Sequence, residues 1–425
     1  MNTIYNAGIR LYAATARTLG RLGHRKAALM TRGQRDTSDA LRRFAAAAPE
    51  GAPRIWIHAA SLGEFEQGRP VIEWIRREMP QARILLSFFS PSGYEVRKNF
   101  PGADTVVYLP FDTPRAADTF VDIARPTMAI FVKYEFWGNY LDALRRREIP
   151  VYLISAIFRP GQIFFRPYGA MFRRMLRCFT HLFVQDDASE RLLRGAGVEA
   201  RDITVCGDTR FDRVTDTLRS ARPVPEIEAW IDASGGRDRF TLVAGSSWGP
   251  DEDVYFPWLA SHPEVRAIIA PHEFDPSRLE AMRGRLGRDL TLLHSELSSA
   301  SPARIAAARY IIIDCFGLLA SLYRFASMAY VGGGFGVGIH SVTEAAVFSV
   351  PVVFGPNHSR FREAIDLIAC GGASSVASPK DFALTASRFL QSVDRRSEAG
   401  AAAGKYIADN VGATETIARH IFPRQ

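Results

Sequence analysis

Two stretches of the chain have residue types and spacings that could do chemistry. The first, IHAASLGEFEQGRP at 57–70, follows an apolar run, turns through Gly63 and sets down two carboxylates, Glu64 and Glu66. A carboxylate held where a strand hands over to a helix can serve as a general base toward a hydroxyl bound at that edge. It can equally stabilise its own helix start, an interaction worth about 0.3 to 1 kcal/mol. The second stretch, YVGGGFGVGIHSVTEAAVFSVPVVFGP at 330–356, places glycines at 332, 333, 334, 336 and 338 ahead of His340, Ser341 and Glu344. Such a loop exposes backbone N–H groups at a helix start and suits an anion such as a phosphate. Val337 and Ile339 stand where a dinucleotide fingerprint needs its third glycine, which disfavours a nicotinamide oxidoreductase. The S-x-x-E spacing of Ser341 and Glu344 also fits a capping box, so Glu344 has a purely structural alternative. Asp251, Glu252 and Asp253 mimic a D-x-D metal site, but they follow SSWGP and read as the capped, acid-rich start of a helix.

The elements that must position these groups alternate along the chain. Apolar runs rich in β-branched and aromatic residues occur at 54–60, 83–89, 105–110, 127–133, 151–156, 181–185 and 203–207, each followed by room for a crossover helix. The pattern restarts at 240–246, 265–271, 290–294, 310–315, 327–334 and 351–355. This predicts an α/β protein with two tandem doubly wound, Rossmann-like domains, whose ligands bind at the carboxyl ends of the strands. ARPVPEIEAW at 221–230 carries two prolines, breaks the rhythm and is the expected boundary. The expected division is 1–35, 36–215, 222–405, and a C-terminal helix over 406–425 that crosses back to the first domain. The length of 425 residues suits two domains, and 47% hydrophobic with 23% charged residues is a globular composition. Cys178, Cys206, Cys315 and Cys370 lie far apart with no C-x-x-C, which argues against a disulfide framework or a zinc site and fits a reducing compartment.

The net charge of +8 is unevenly spread. Residues 1–35 hold no acid, and Arg10, Arg17, Arg21, Arg25, Lys26, Arg32 and Arg35 alternate with aliphatic and tyrosine side chains. With no apolar run long enough to span a bilayer, this reads as an amphipathic helix lying on an anionic leaflet, or else as a basic helix packed on its domain. A second acid-free tract, 149–185, sets Arg166, Arg173 and Arg174 among phenylalanines. Nucleic acid is the weaker reading there. A phosphorylated amphiphile, or an ordinary helix with a basic outer face, fits better.

Taken together the motifs resemble a known family. The glycine loop leading to H-S-x-x-E-A-A and PVVFGP, the SLGEFEQ turn, KYEFWGN (133–139), GDTRFDRV (207–214), GSSWGPDED (245–253 with its leading residues) and PHEF (271–274) look like those of the 3-deoxy-D-manno-octulosonic acid (Kdo) transferases. The resemblance covers nearly the whole chain. It implies a GT-B fold, with two Rossmann-like domains facing a central cleft, and an inverting transfer of Kdo from CMP-Kdo to lipid IVA in lipopolysaccharide synthesis. It implies Glu64 as general base, with Glu135, beside Trp137 and Asn139, orienting either the acceptor or Glu64. Donor contacts carry over to Pro271, His272, Phe316, Gly317, Leu318, Gly338, Ser341, Val342, Thr343 and Glu344, with Ser246 and Ser247 as further partners for the Kdo carboxylate or phosphate. Many relatives have Asn in place of Ser341, Arg near His272 and Glu in place of Leu318. Arg166, Arg173 and Arg174 are candidates for the lipid phosphates. No metal and no other cofactor is implied, and the basic N-terminal segment is expected on the cytoplasmic face of the inner membrane. Another GT-B enzyme, a UDP-sugar transferase or an epimerase, is the rival reading, and a non-catalytic membrane-surface binder is a more distant one.

Overall fold

Buried runs of β-branched and aromatic residues form strands that are covered on both faces, and the chain has two sets of them. The computed structural model describes residues 3–219 and 222–423. In the first set, β1 (Arg54–Ala59), β2 (Arg83–Phe88), β3 (Thr105–Tyr108), β4 (Met128–Val132), β5 (Val151–Ala156), β6 (His181–Val184) and β7 (Ile203–Val205) pair in the order β3-β2-β1-β4-β5-β6-β7. In the second, β8 (Thr241–Ser247), β9 (Arg266–Pro271), β10 (Thr291–Leu293), β11 (Tyr310–Ile312), β12 (Met328–Val331), β13 (Val352–Phe354) and β14 (Ala373–Ser375) pair as β10-β11-β9-β8-β12-β13-β14. Neighbouring strands are parallel, with Ile57 level with Leu86 and Ile130, and Val243 level with Ile268 and Ala329. Only β14 escapes the sequence reading. Its residues are small and polar, and pairing with β13 (Val352 with Ala373) makes it a strand.

The chain divides into two compact units, Met1–Asp212 with Val411–Gln425, and Arg213–Asn410. The break thus precedes the proline-rich tract expected to hold it, of which Ala221 lies outside the described residues. From Pro225 that tract is a helix, Pro225–Ala233, that buries Ile227 and Trp230. The Trp230 indole donates to the Ala308 carbonyl at 2.9 Å, so an apolar, well-anchored helix stands where prolines suggested a linker.

In the first unit, helices α1 (Thr3–Arg21), α2 (Arg25–Gly33), α3 (Thr37–Ala46), α4 (Leu62–Glu78), α5 (Pro91–Arg97), α6 (Pro114–Ala124) and α7 (Gly138–Arg146) precede β5. Alternation along β1 sends Ile55 and Ile57 into one core, shared with α4, and Trp56 into the other. The N-terminal helices are part of this unit, because Ala13, Ala16 and Met30 pack with Tyr108 and Phe111. The C-terminal helix Ala413–Ile421 returns to it as well, burying Ile417 and Ile421 beside α4. Asp212 caps that helix, accepting from the Gly412 N–H at 2.5 Å and the Thr414 N–H at 2.6 Å. The motif GDTRFDRV thereby gains a structural use.

In each sheet one strand lies between neighbours reached in opposite directions. In the first it is β1, between β2 and β4, and in the second it is β8, between β9 and β12. At such a switch point the loops leaving the strands part and open a crevice at their carboxyl ends. Glu64 stands in the first turn of the helix after β1, Glu135 in the loop after β4, Ser246 near the carboxyl end of β8, and the glycine run in the loop after β12.

Candidate functional site

In the first unit the site begins with Glu64. Helix α4 starts at Leu62, and Glu64 in its first turn folds back so that its Oε2 accepts the N–H of Ala60 at 2.7 Å and of Ser61 at 3.2 Å. The capping role allowed by the sequence is therefore real. Gly68 lets α4 lie close on β4, since a Cβ there would come within 3.0 Å of Val132. A carboxylate that accepts two N–H groups normally ionises easily. Here burial first, and then the charge of Glu135, push the Glu64 pKa up to about 7 against the opposing effects of His58 and those N–H groups.

Glu135 reaches the same place from β4. Lys133 adopts a left-handed backbone (φ 66°), which is unusual for a residue with a side chain and turns the chain sharply at the strand end. The buried Glu135 then meets His58 Nε2 at 2.9 Å and the Trp137 indole N–H at 2.5 Å. Behind it, His58 Nδ1 lies 2.8 Å from Ser87 Oγ, which accepts from the Trp56 indole at 2.8 Å. Because the indoles can only donate, one assignment gives each of these donors an acceptor: Trp56 to Ser87, Ser87 to His58 Nδ1, His58 Nε2–H to Glu135, and Trp137 to Glu135. This buried relay fixes the Glu135 carboxylate beside Glu64.

Asn139, expected beside Glu135, serves the helix instead. Its side chain donates to Asn6 Oδ1 at 2.9 Å and to the Asp112 carbonyl. Asp112 accepts the N–H groups of Asn139 and Tyr140 at 3.0 Å each, capping α7, and the Tyr5 hydroxyl at 2.5 Å. Burial holds the Asp112 pKa near 6 despite these donors. Tyr5 and Asn6 belong to α1, so the N-terminal helix is tied to the start of α7, just past Glu135. Sequence reasoning missed His58, Ser87 and Asp112. His58 stood in the stretch already singled out, as the polar residue of an apolar strand, two positions from Trp56.

The three candidate arginines of the acid-free tract, Arg166, Arg173 and Arg174, have different surroundings in the structure. Arg173 donates from Nη1 to the carbonyls of Phe164 (3.0 Å) and Arg166 (2.8 Å), closing the 3₁₀ turn Ile163–Phe165, so one of its guanidinium nitrogens is engaged by local backbone. Arg174 lines a pocket with Asp142, Arg145 and Arg177, while the Arg166 side chain is exposed.

In the second unit the glycine run follows β12. Close backbone approach requires its members: a Cβ at Gly332 would sit 2.3 Å from the Ser246 carbonyl oxygen, and one at Gly334 would sit 2.6 Å from Gly355. Asp251 pins the loop, accepting from Gly333 N–H, Trp248 N–H and the Tyr330 hydroxyl, each at 2.9 Å. Glu252 pairs with Arg278 at 2.5 Å and Asp253 with Arg285 at 2.6 Å, so all three acids have protein partners. Against this loop His272 stacks on Trp248 (4.3 Å) and on His340 (4.6 Å), and the Trp248 indole donates to His340 Nε2 at 3.3 Å. Burial and the neighbouring His272 push the His340 pKa down. Trp248 and His340 were not among the expected contacts, and only packing reveals them.

The remaining donor candidates sort by what their side chains already do. Ser247 is fully buried between Tyr255 (3.1 Å) and Glu252 (3.3 Å), so its hydroxyl is turned into the core, contrary to expectation. Ser246 has a left-handed backbone (φ 52°) at the strand end. Pro271 ends β9, and Val342 is core, so these two offer only backbone. Phe316 is exposed and packs on Phe274 at 4.5 Å, Gly317 (φ 89°) turns the chain, and Leu318 precedes the short helix Leu319–Leu322. Gly338 abuts the Phe361 ring. Ser341 lies 3.1 Å from Thr343, and Glu344 in the next turn has its pKa raised by burial, opposed by Arg213 and by a hydrogen bond from Ser341.

Two parallel, doubly wound domains with polar groups gathered at their switch points define the GT-B architecture. Solved UDP-N-acetylglucosamine 2-epimerases share it. The enzyme from Neisseria meningitidis aligns over 87% of this chain and all of its own (TM-score 0.61, 13% identity), and a putative one from Listeria monocytogenes over 88% and 98% (TM-score 0.56, 12% identity). At such identities the likeness concerns the fold. Residues 31–213 match the family described as 3-deoxy-D-manno-octulosonic-acid transferase (kdotransferase). The chain is 27% identical over 390 residues to the 3-deoxy-D-manno-octulosonic acid transferase of Bordetella pertussis and 25% identical over 390 residues to that of Haemophilus influenzae, covering 87% of this chain and 86% of each relative. Residues 31–213 thus carry a Kdo transferase domain, and the chain is similar to Kdo transferases over most of its length.

The raised Glu64 pKa has a consequence for stability. Between 4.5 and about 7 the folded protein keeps a proton on Glu64 that the unfolded chain releases, so this contribution to stability is lost as pH rises through that window. Glu64→Gln cannot ionise. Its stability relative to the parent should therefore improve from pH 5 to pH 8 in denaturant unfolding, whereas a Glu64 that served only as a cap would give a difference constant over that range.

Proposed function

We propose that this glycosyltransferase moves Kdo from CMP-Kdo to lipid IVA with inversion, and that Glu64 is the general base. The observation that carries the assignment is the Glu64 carboxyl poised at about 7, first by burial and then by the neighbouring charge of Glu135. A base is most effective when its pKa lies close to the working pH, since it is then both unprotonated and basic enough. As the acceptor hydroxyl attacks the anomeric carbon, its proton passes to Glu64. The bond from that carbon to the CMP phosphate oxygen breaks, and CMP leaves with the electron pair. Glu135, fixed by His58 and Trp137, holds Glu64 at this poise.

On the donor side, the N–H groups of the glycine loop and the His272 ring are suited to the phosphate, and Glu344 to the ribose hydroxyls. Trp248 and His340 both stack on His272 and hydrogen-bond to each other. Arg166, Arg173 and Arg174 are the candidates for acceptor phosphates, Arg173 with one guanidinium nitrogen already held by local carbonyls. No residue of this scheme requires a metal, because CMP is a leaving group whose charge hydrogen-bond donors can meet.

The enzyme works at the cytoplasmic surface of the inner membrane, peripherally. No helix among the described residues is long and apolar enough to cross a membrane. On α1, Ile4 and Leu11 are exposed two helical turns apart, and Leu22 follows at its end on the same face, opposite the buried Ala13. Arg10, Arg17 and Arg21 lie along one edge of this face, an arrangement suited to an anionic interface.

Glu64→Gln should lower the transfer rate by about 10² to 10⁴ while CMP affinity is retained. Near-normal turnover would refute the assignment. For the membrane, deleting α1 would also expose Tyr108 and Phe111, so substitution is the cleaner test. Leu11→Ser with Leu22→Ser should weaken binding to phosphatidylglycerol-containing vesicles by about tenfold or more in flotation, given about 1.5 to 3 kcal/mol for each fully buried leucine. Unchanged flotation would remove α1 from the interface.

A further inference from the structure

A cavity of about 620 Å³ lies between α1, α2 and the loop before α6. Arg17 and Arg21 of α1, Arg32 of α2 and Arg35 just beyond it line this cavity, and Phe111 forms part of its wall. The cavity has no carboxylate in its lining, and residues 1–35 contain none. Other arginines of this unit are neutralised, for example Arg97 by Glu66 at 2.8 Å and Arg147 by Asp122 at 2.7 Å. The Arg17 guanidinium instead rests over the Phe111 ring at 5.5 Å.

The spacing of these groups is built into the packing. Helices α1 and α2 meet at Gly20, where a Cβ would lie 3.1 to 3.2 Å from the backbone of Ala27 and Ala28. The α2 side is held by Gln34, whose side chain donates to the Leu109 carbonyl at 2.9 Å. Four like charges around one concavity repel one another, and a multiply charged anion converts that repulsion into attraction. Guanidinium groups suit a phosphate in particular, because their planar donors meet its oxygens in pairs.

We propose that this cavity is a discrete, one-per-chain binding site for a phosphomonoester headgroup, distinct both from the reaction site and from diffuse attraction of the basic segment to a charged surface. The volume accommodates a phosphorylated glycerol or a phosphorylated sugar ring. The inference does not depend on the role of Glu64.

The test is isothermal titration calorimetry on the full chain with two phosphomonoester probes, monomeric dihexanoyl phosphatidic acid and glycerol 3-phosphate. Two double variants remove equal charge: Arg32→Ala with Arg35→Ala inside the cavity, and Arg10→Ala with Arg25→Ala outside it. All four side chains are exposed, so thermal unfolding should show both variants folded. The site predicts saturable binding with a stoichiometry of one. It further predicts about tenfold weakening per cavity arginine, roughly a hundredfold in all, with little change in the outer variant. Binding of the lipid probe alone identifies the ligand as a membrane headgroup, and equal binding of glycerol 3-phosphate identifies a soluble phosphate. Equal weakening in the two double variants, or no saturable binding of either probe, would overturn the proposal.

Discussion

The account depends on one electrostatic constraint: two carboxyl groups share a half-buried site and act on each other through their charges. Glu135 is met by the His58 ring and the Trp137 indole, whereas Glu64 accepts from the backbone N–H groups of Ala60 and Ser61. Burial and the Glu135 charge outweigh those donors, so Glu64 bears the cost of the arrangement. The same residue thus caps a helix and is poised to take a proton. The cap supplies rigidity, since a carboxylate tied to two N–H groups at a strand end cannot wander from its position.

The rest of the first unit is arranged around that pair. Parallel pairing puts the ends of β1 and β4 side by side, which brings residues 64 and 135 together although they are distant in sequence. The left-handed turn at Lys133 re-aims the chain so that Glu135 points back to His58, and the second unit repeats the device at Ser246. Such backbone strain, of order 1 to 3 kcal/mol per residue, persists where surrounding structure enforces it. In the second unit Asp251 provides the enforcement, bonding at once to its own helix start, to Tyr330 and to the glycine loop. Helix α1 belongs to the same design, because Tyr5 and Asn6 tie the proposed membrane-facing element to the turn that carries Glu135.

Much of this was legible in the sequence because the signals are local. A run such as RIWIHA announces a buried parallel strand through its own side chains, and a carboxylate after such a run is at once a candidate. The strand Ala373–Ser375 was illegible because its neighbour, not its composition, makes it a strand. Residue type also cannot say whether a polar group is already engaged. The hydroxyl of Ser247 looked available and is engaged in the core, and one guanidinium nitrogen of Arg173 is taken by local carbonyls. Conversely, the His58 relay and the Trp248–His272–His340 stack join residues far apart in the chain, which no spacing rule connects. The two prolines at 223 and 225 misplaced the boundary, because a proline at a helix start resembles one in a linker until the burial of Trp230 is known.

The most direct test of the central claim is the titration of Glu64 itself, followed by carboxyl ¹³C NMR in the intact chain and in a Glu135→Gln variant. The account predicts a midpoint near 7 in the parent, falling toward 4.5 when the neighbouring charge is removed. A midpoint near 4.5 in the parent, or one that Glu135→Gln leaves unmoved, would contradict it.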